Sequence, residues 1–197
     1  MQLNQLLSHL QSIASAENVA GMARFGINPK HTLGIDIYTL RKIAKDIGAD
    51  HALTLQLWDS GFHEARILAS YIANPRHMNE AQIEHWVADF DSWDICDQVV
   101  ELFSKTPFAY PKVAEWAQRP EEFVKRAAFA LIAELAAHDK QAPDEKLARF
   151  FPIIVGASND DRNFVKKAIN WALRNLGKRN RALNEQAIAT ARQIQAL

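Results

Sequence analysis

The densest run of chemistry-bearing residues in the 197-residue chain is Asp91-Ser92-Trp93-Asp94-Ile95-Cys96-Asp97. Asp91 or Ser92 is placed to cap a helix, because a short side-chain oxygen accepts a bond from the unpaired amides of a first turn. Trp93 then opens that helix, and Asp94 falls in its first turn, where a carboxylate complements the positive end of the helix dipole. Asp97 lies one turn beyond Trp93, and residues four apart share one helix face. A carboxylate beside a large ring can stabilise a cation both by charge and by ring-face attraction. The ordinary alternative is an acid paired with a nearby Lys or Arg beside a core tryptophan.

Two cationic features stand apart from this run. Arg126, in Phe123-Val124-Lys125-Arg126-Ala127-Ala128, heads a helix of small apolar residues. Its planar fork suits a phosphate gripped by two hydrogen bonds, or equally an internal carboxylate. Trp171 sits among Lys166, Lys167 and Arg174, whereas Trp58, Trp86 and Trp116 read as core. The chain carries 23 Lys+Arg against 23 Asp+Glu, yet from Arg162 onward eight basic residues face Glu185 alone. That asymmetry points to a polyanion held along this end, with a solvated helix face as the plain alternative. The seven histidines show no paired ligand spacing, Cys96 has no second cysteine, and no Gly-rich phosphate loop occurs. No metal or cofactor is therefore expected, and any catalysis falls to carboxylates and aromatics.

The elements that must position these residues are helices. With 48% hydrophobic and 23% charged residues the chain has ordinary globular composition, and residues 1–197 read as one domain. A lone cysteine, a polar N-terminus unlike a signal peptide, and no long apolar run place the protein in the cytoplasm. Leu3, Leu6, Leu7, Leu10 and Ile13 repeat at helical spacing, as do Leu40, Ile43, Ala44 and Ile47. Breaks at Gly26 to Pro29, Gly34, Gly48, Gly61, Asn74-Pro75, Thr106-Pro107, Pro111, Arg119-Pro120, Pro143 and Gly177 divide the chain into about ten helices. Segments starting at Arg66, Arg126 and Lys167 resemble one another, each trailing an aromatic (Phe62, Phe123, Phe164) by three or four residues. Positions 126 and 167 are one period of a HEAT or armadillo-type helix pair apart, roughly 40–47 residues. An all-α superhelix is expected, with Arg66, Arg126 and Lys167 facing one concave basic groove.

Several ordered blocks together resemble the AlkD-like DNA alkylation repair glycosylases. They are Gly21-Met-Ala-Arg-Phe25, Leu33-Gly-Ile35 with Leu40 to Ile47, Leu57-Trp58 with His63-Glu64-Ala-Arg66, Asp91 to Asp97, Phe123 to Ala128 and Phe164 to Arg174. The resemblance runs from about Gly21 to Gln195. It implies a HEAT-like superhelix that holds duplex DNA and removes N3- or N7-alkylated purines without metal or cofactor; a monomer is the default expectation for an elongated groove of that kind. On the matching positions it makes Asp97 the catalytic acid and Trp93 and Trp171 the aromatic wall against the deoxyribose. Arg126 becomes the arginine of the cleft; the repeat and the basic C-terminal end, rather than the resemblance, put Arg66, Lys166, Lys167 and Arg174 on the expected DNA face. Phe25 falls near the lesion at a place where a tyrosine occurs in the family, and Asp36-Ile37 departs from the more polar residues of some members. A non-catalytic DNA-binding relative and a helical-repeat scaffold for a protein partner remain as alternatives.

Overall fold

Short side chains that cap helices recur along the N-terminal half. Ser15, Asp36 and Asp50 each accept a bond from the amide three residues on, and Asn79 and Gln82 form a reciprocal capping box. In the computed structural model, which describes residues 2–197, thirteen helices and no strand occur among the described residues. Contacts gather into two compact units, residues 1–102 and 103–197.

The first unit contains α1 (Leu3–Ser12), α2 (Ala16–Arg24), α3 (Ile37–Ile47), α4 (His51–Asp59), α5 (His63–Ile72), α6 (Glu80–Ala88) and most of α7 (Trp93–Ser104). Its core is aromatic: Trp58 and Trp86 stack at 3.9 Å with Phe90 beside them, among buried Leu57, Leu68, Ile83 and Val87. Such a stacked pair adds about 0.5–1.5 kcal/mol beyond the apolar area it buries. Helix α2 buries no residue. Polar ties hold it instead: the Ser15 amide donates to the Leu33 carbonyl at 2.8 Å, and the Asn18 side chain donates to the Gly34 carbonyl at 2.9 Å. Gly34 has φ +77°, and a Cβ there would lie 2.3 Å from the Ser15 carbonyl oxygen. Only glycine allows this close approach.

The second unit contains the end of α7, then α8 (Ala109–Trp116), α9 (Glu122–His138), α10 (Asp144–Ala148), α11 (Phe150–Gly156), α12 (Asn163–Gly177) and α13 (Arg181–Gln195). Helices α9 and α12 share the most extensive helix–helix contact. Buried Ala127, Ala128 and Ala130 of one and Ala168 and Ala172 of the other leave little side-chain bulk to separate them. These are the two helices that the 41-residue period relates. Asp160 fixes the turn before α12, accepting from Arg162 Nε at 2.9 Å and Nη2 at 2.6 Å, and from Lys125 Nζ at 3.2 Å. The Arg162 hydrogen bonds hold the Asp160 carboxyl far below the usual carboxylate range. Arg179 donates to the carbonyls of Ala136, Asp139 and Ala142, closing the C-terminal end of α9.

Two expected breaks lie inside helices. Pro111 sits in the first turn of α8, where a missing amide hydrogen forfeits no intrahelical bond. Gly177 is the last residue of α12 and is buried against α13, where an added Cβ would lie 3.1 Å from the Ala187 Cβ. Trp58, Trp86 and Trp116 are buried, as their spacing indicated. One further helix arises from a single-residue division: α10 and α11 are separated by Arg149 alone.

Candidate functional site

Helix α5 begins His63-Glu64-Ala65-Arg66, a polar turn on a helix that is otherwise buried and apolar. Each polar side chain there has a distant partner. His63 Nε2 lies 2.8 Å from Asp94 Oδ2, and both side chains are buried. Burial alone would depress the His63 pKa, but the Asp94 hydrogen bond and charge outweigh it and hold it above its ordinary value. Glu64 is 0% exposed, and its carboxylate accepts from the amides of Leu33 at 2.8 Å, Gly34 at 2.7 Å and Ile35 at 3.3 Å. Arg66 spends its fork on Asp89: Nη2 donates to the carboxylate at 3.0 Å and Nη1 to the main-chain carbonyl at 3.2 Å. Its guanidinium also lies over the Trp58 ring, 5.3 Å from the centroid.

The first turn of α7 meets the 25–36 loop. The Asn28 amide donates to Ser92 Oγ at 2.9 Å, and the Asn28 side chain donates to Asp91 at 2.7 Å. Trp93 Nε1 donates to the Phe25 carbonyl at 3.0 Å, so the indole is held by the loop opposite it. Phe25 itself is 73% exposed. Asp97, one turn along α7 from Trp93, is half-buried. Beside Trp93 opens a cleft of about 730 Å³, whose lining includes Met22, Arg24, Phe25, Ile35 and Asp36. Trp93 and Phe25 thus meet at the start of α7, with an indole whose only polar atom is already satisfied and Asp97 one turn further along the helix.

In the second unit α12 buries Val165, Ala168, Ile169, Ala172 and Leu176 and turns Lys166, Lys167 and Arg174 outward. Lys167, Trp171 and Arg174 follow one another at helical spacing along an exposed edge, with Trp171 half-buried. Arg126 is 5% exposed, and its Nη1 donates to the Phe164 carbonyl at 2.7 Å. Phe123 and Phe164, the aromatics that precede the two repeat segments, lie 5.7 Å apart.

The repeat-equivalent cations expected on one groove therefore differ in surroundings. Arg66 is committed to Asp89 and Trp58, Arg126 is buried against the start of α12, and of the three Lys167 is the exposed one. Against the expectation of an outward groove cation, the half-buried Arg66 has its fork engaged by Asp89 within its own unit. Asp94 does more than complement the helix dipole, since it receives His63. The anchors at His63, Glu64, Asn28 and Asp89 escaped sequence reasoning. For His63 and Glu64 the available signal was the run of ionisable residues opening α5, costly to bury unless paired. No group of three His, Cys, Asp or Glu side chains placed to hold a metal occurs among the described residues, and no helix is long and apolar enough to cross a membrane.

Helix pairs of one period packed side by side, with Arg- and Lys-bearing edges, define a HEAT-like repeat protein. The fold matches a solved structure described as a new family of proteins related to the HEAT-like repeat DNA glycosylases with affinity for branched DNA structures. The match has a TM-score of 0.87 and 19% identity, over 98% of this chain and 83% of that one. Among curated proteins there is no match. The model of the family described as DNA alkylation repair enzyme matches residues 6–196, and the chain belongs to that family.

Proposed function

We propose that the protein is a DNA glycosylase that hydrolyses the N-glycosidic bond of cationic N3- or N7-alkylpurines in duplex DNA. The observation that carries this reading is the Trp93–Asp97 pair: an indole fixed by the Phe25 carbonyl and a half-buried carboxylate one turn away on the same helix.

Alkylation at N3 or N7 gives the purine a positive charge, so its bond to C1′ of the deoxyribose is already weak. When that bond breaks, its electron pair returns to the purine, which leaves neutral and needs no acid. Positive charge passes to the sugar as an oxocarbenium ion. A fixed Asp97 carboxylate stabilises that charge and orients the water that attacks C1′, accepting its proton as the abasic site forms. The second carboxylate of ordinary glycosidases protonates a leaving oxygen and has no counterpart task here. Trp93 and Trp171 would each add roughly 0.5–2 kcal/mol of ring-face attraction for the same charge.

Exposed Lys166, Lys167 and Arg174 suit phosphate contacts, which set register on a duplex without reading sequence. Phe25 suits an apolar contact beside the lesion. Arg126 fits better as the residue that fixes the start of α12 beneath these contacts than as an open phosphate clamp. The protein is expected to act as a monomer, without metal or cofactor.

A second reading is favoured by the solved structure described as having affinity for branched DNA. There the protein binds distorted DNA and cuts no bond. Incubation with methylated duplex DNA, followed by mass spectrometry of free bases, separates the two. Release of 7-methylguanine or 3-methyladenine with matching abasic sites supports the glycosylase. Tighter binding of a four-way junction than of duplex, with no base released, supports the second reading.

A further inference from the structure

The opening turn of α5 touches both sides of the Trp93 cleft, and no reaction step uses it. Glu64 occupies a nest of three amides at residues 33–35, of which Gly34 and Ile35 line the cleft. His63 grips Asp94, the residue next to Trp93, and its own amide donates to the His31 carbonyl at 3.0 Å in the same loop. Arg66 ties the chain just before α7 through Asp89. Further along α5, Tyr71 donates to Gln98 of α7. The loop that Glu64 secures begins at Phe25, whose carbonyl holds the Trp93 indole. Both constraints on Trp93, from its own helix and from the facing loop, therefore run back to adjacent residues of one helix turn.

We propose that His63 and Glu64 are positioning residues for Trp93 and Asp97: His63 sets the start of α7 through Asp94, and Glu64 sets the facing loop through its three amides. This rests on the reading of Trp93 and Asp97 as the reactive pair. A buried acid ringed by three donors has one preferred placement, since any shift strands either the carboxylate or an amide. Asp94 Oδ1 accepts no hydrogen bond although it is buried, so His63 is the partner that offsets the burial of that carboxylate. The acids whose charge reaches the imidazole are Asp94, Glu64 and Asp91. Deprotonating His63 leaves them facing a neutral ring, which loosens the grip on α7.

The test uses the full chain labelled with 5-fluorotryptophan, the Trp93 fluorine resonance being assigned with Trp93→Phe. In the wild type that resonance shifts as pH rises through the His63 titration. In His63→Gln, which keeps a donor toward Asp94 but cannot titrate, the shift with pH disappears. In Glu64→Gln, which sets an amide group against amide donors, the resonance moves toward that of the free amino acid. Base release falls on the order of tenfold to a hundredfold in both variants, the scale of a misplaced site. A merely structural role would lower thermal stability and leave the Trp93 pH profile intact. A Trp93 resonance indifferent to pH in the wild type, or unchanged in His63→Gln, overturns the proposal, and His63→Gln decides it should Glu64→Gln not fold. Wild-type protein that releases no base would count against the glycosylase reading, while the fluorine data still decide whether His63 and Glu64 place Trp93.

Discussion

Asp97 would carry the proposed chemistry alone, because an alkylated base takes back an electron pair and leaves neutral. On that proposal Trp93 and Trp171 would act on a charge that exists only in the transition state. Trp93→Ala and Trp171→Ala should each slow base release about 2- to 30-fold, the equivalent of roughly 0.5–2 kcal/mol, with weaker effects for Phe replacements. Single-turnover rates measure this. His63 gives a stability prediction whose sign follows from its raised pKa. The folded state binds the proton more tightly than the unfolded one, so the pair's contribution is full below the ordinary value of 6.5 and is lost as pH rises through the folded-state value. Thermal midpoints should fall toward alkaline pH in the wild type and fall less in His63→Gln. At this scale the shared helix face of Trp93 and Asp97 was legible, because residues four apart in a helix fall on one side. His63 and Glu64 were not, since their partners lie about 30 residues away and periodicity carries no information about which polar groups meet.

Helices α9 and α12 show why the repeat was readable. Each carries an aromatic and then basic residues in its first turn with buried alanines beyond them, and those alanines let the two helices pack closely although α10 and α11 lie between them in sequence. Where periodicity failed, a residue type had two structural uses. Proline ends a helix but also fits its first turn, as Pro111 does, and glycine ends a helix but also admits a neighbour, as Gly177 does. Helix α2 is the element most exposed to perturbation, since it buries nothing and depends on Ser15, Asn18 and Gly34. Gly34→Ala combines an unfavourable φ with a backbone collision, and a local cost of about 1–3 kcal/mol is expected. Hydrogen exchange should then accelerate across residues 15–35 while the amides of α9 and α12 keep their protection.

Over the whole molecule, charge is neutral in sum and uneven in distribution. The sequence placed the excess of cations at the C-terminal end but did not tell which of them are occupied. Arg162 and Arg179 bind carbonyl and carboxylate groups of their own unit, whereas Lys166, Lys167 and Arg174 stand outward on α12, Lys166 with only the exposed Asp161 carboxylate 3.7 Å away as an ion-pair partner. Replacing any one of those three with alanine should reduce the salt dependence of duplex binding by about 0.9 in the log–log slope. Replacing Arg179 should instead lower stability. The fold was legible because helices sustained over nearly the whole chain leave few ways to bury their apolar faces, whereas the proposed reaction would rest on one carboxylate whose task spacing alone does not assign. The most direct test is the single-turnover rate of 7-methylguanine release by wild type and Asp97→Asn, at concentrations that saturate the DNA and with folding verified. The glycosylase reading predicts a loss on the order of 10²–10³-fold with little change in DNA affinity. Equal rates in the two proteins would contradict it.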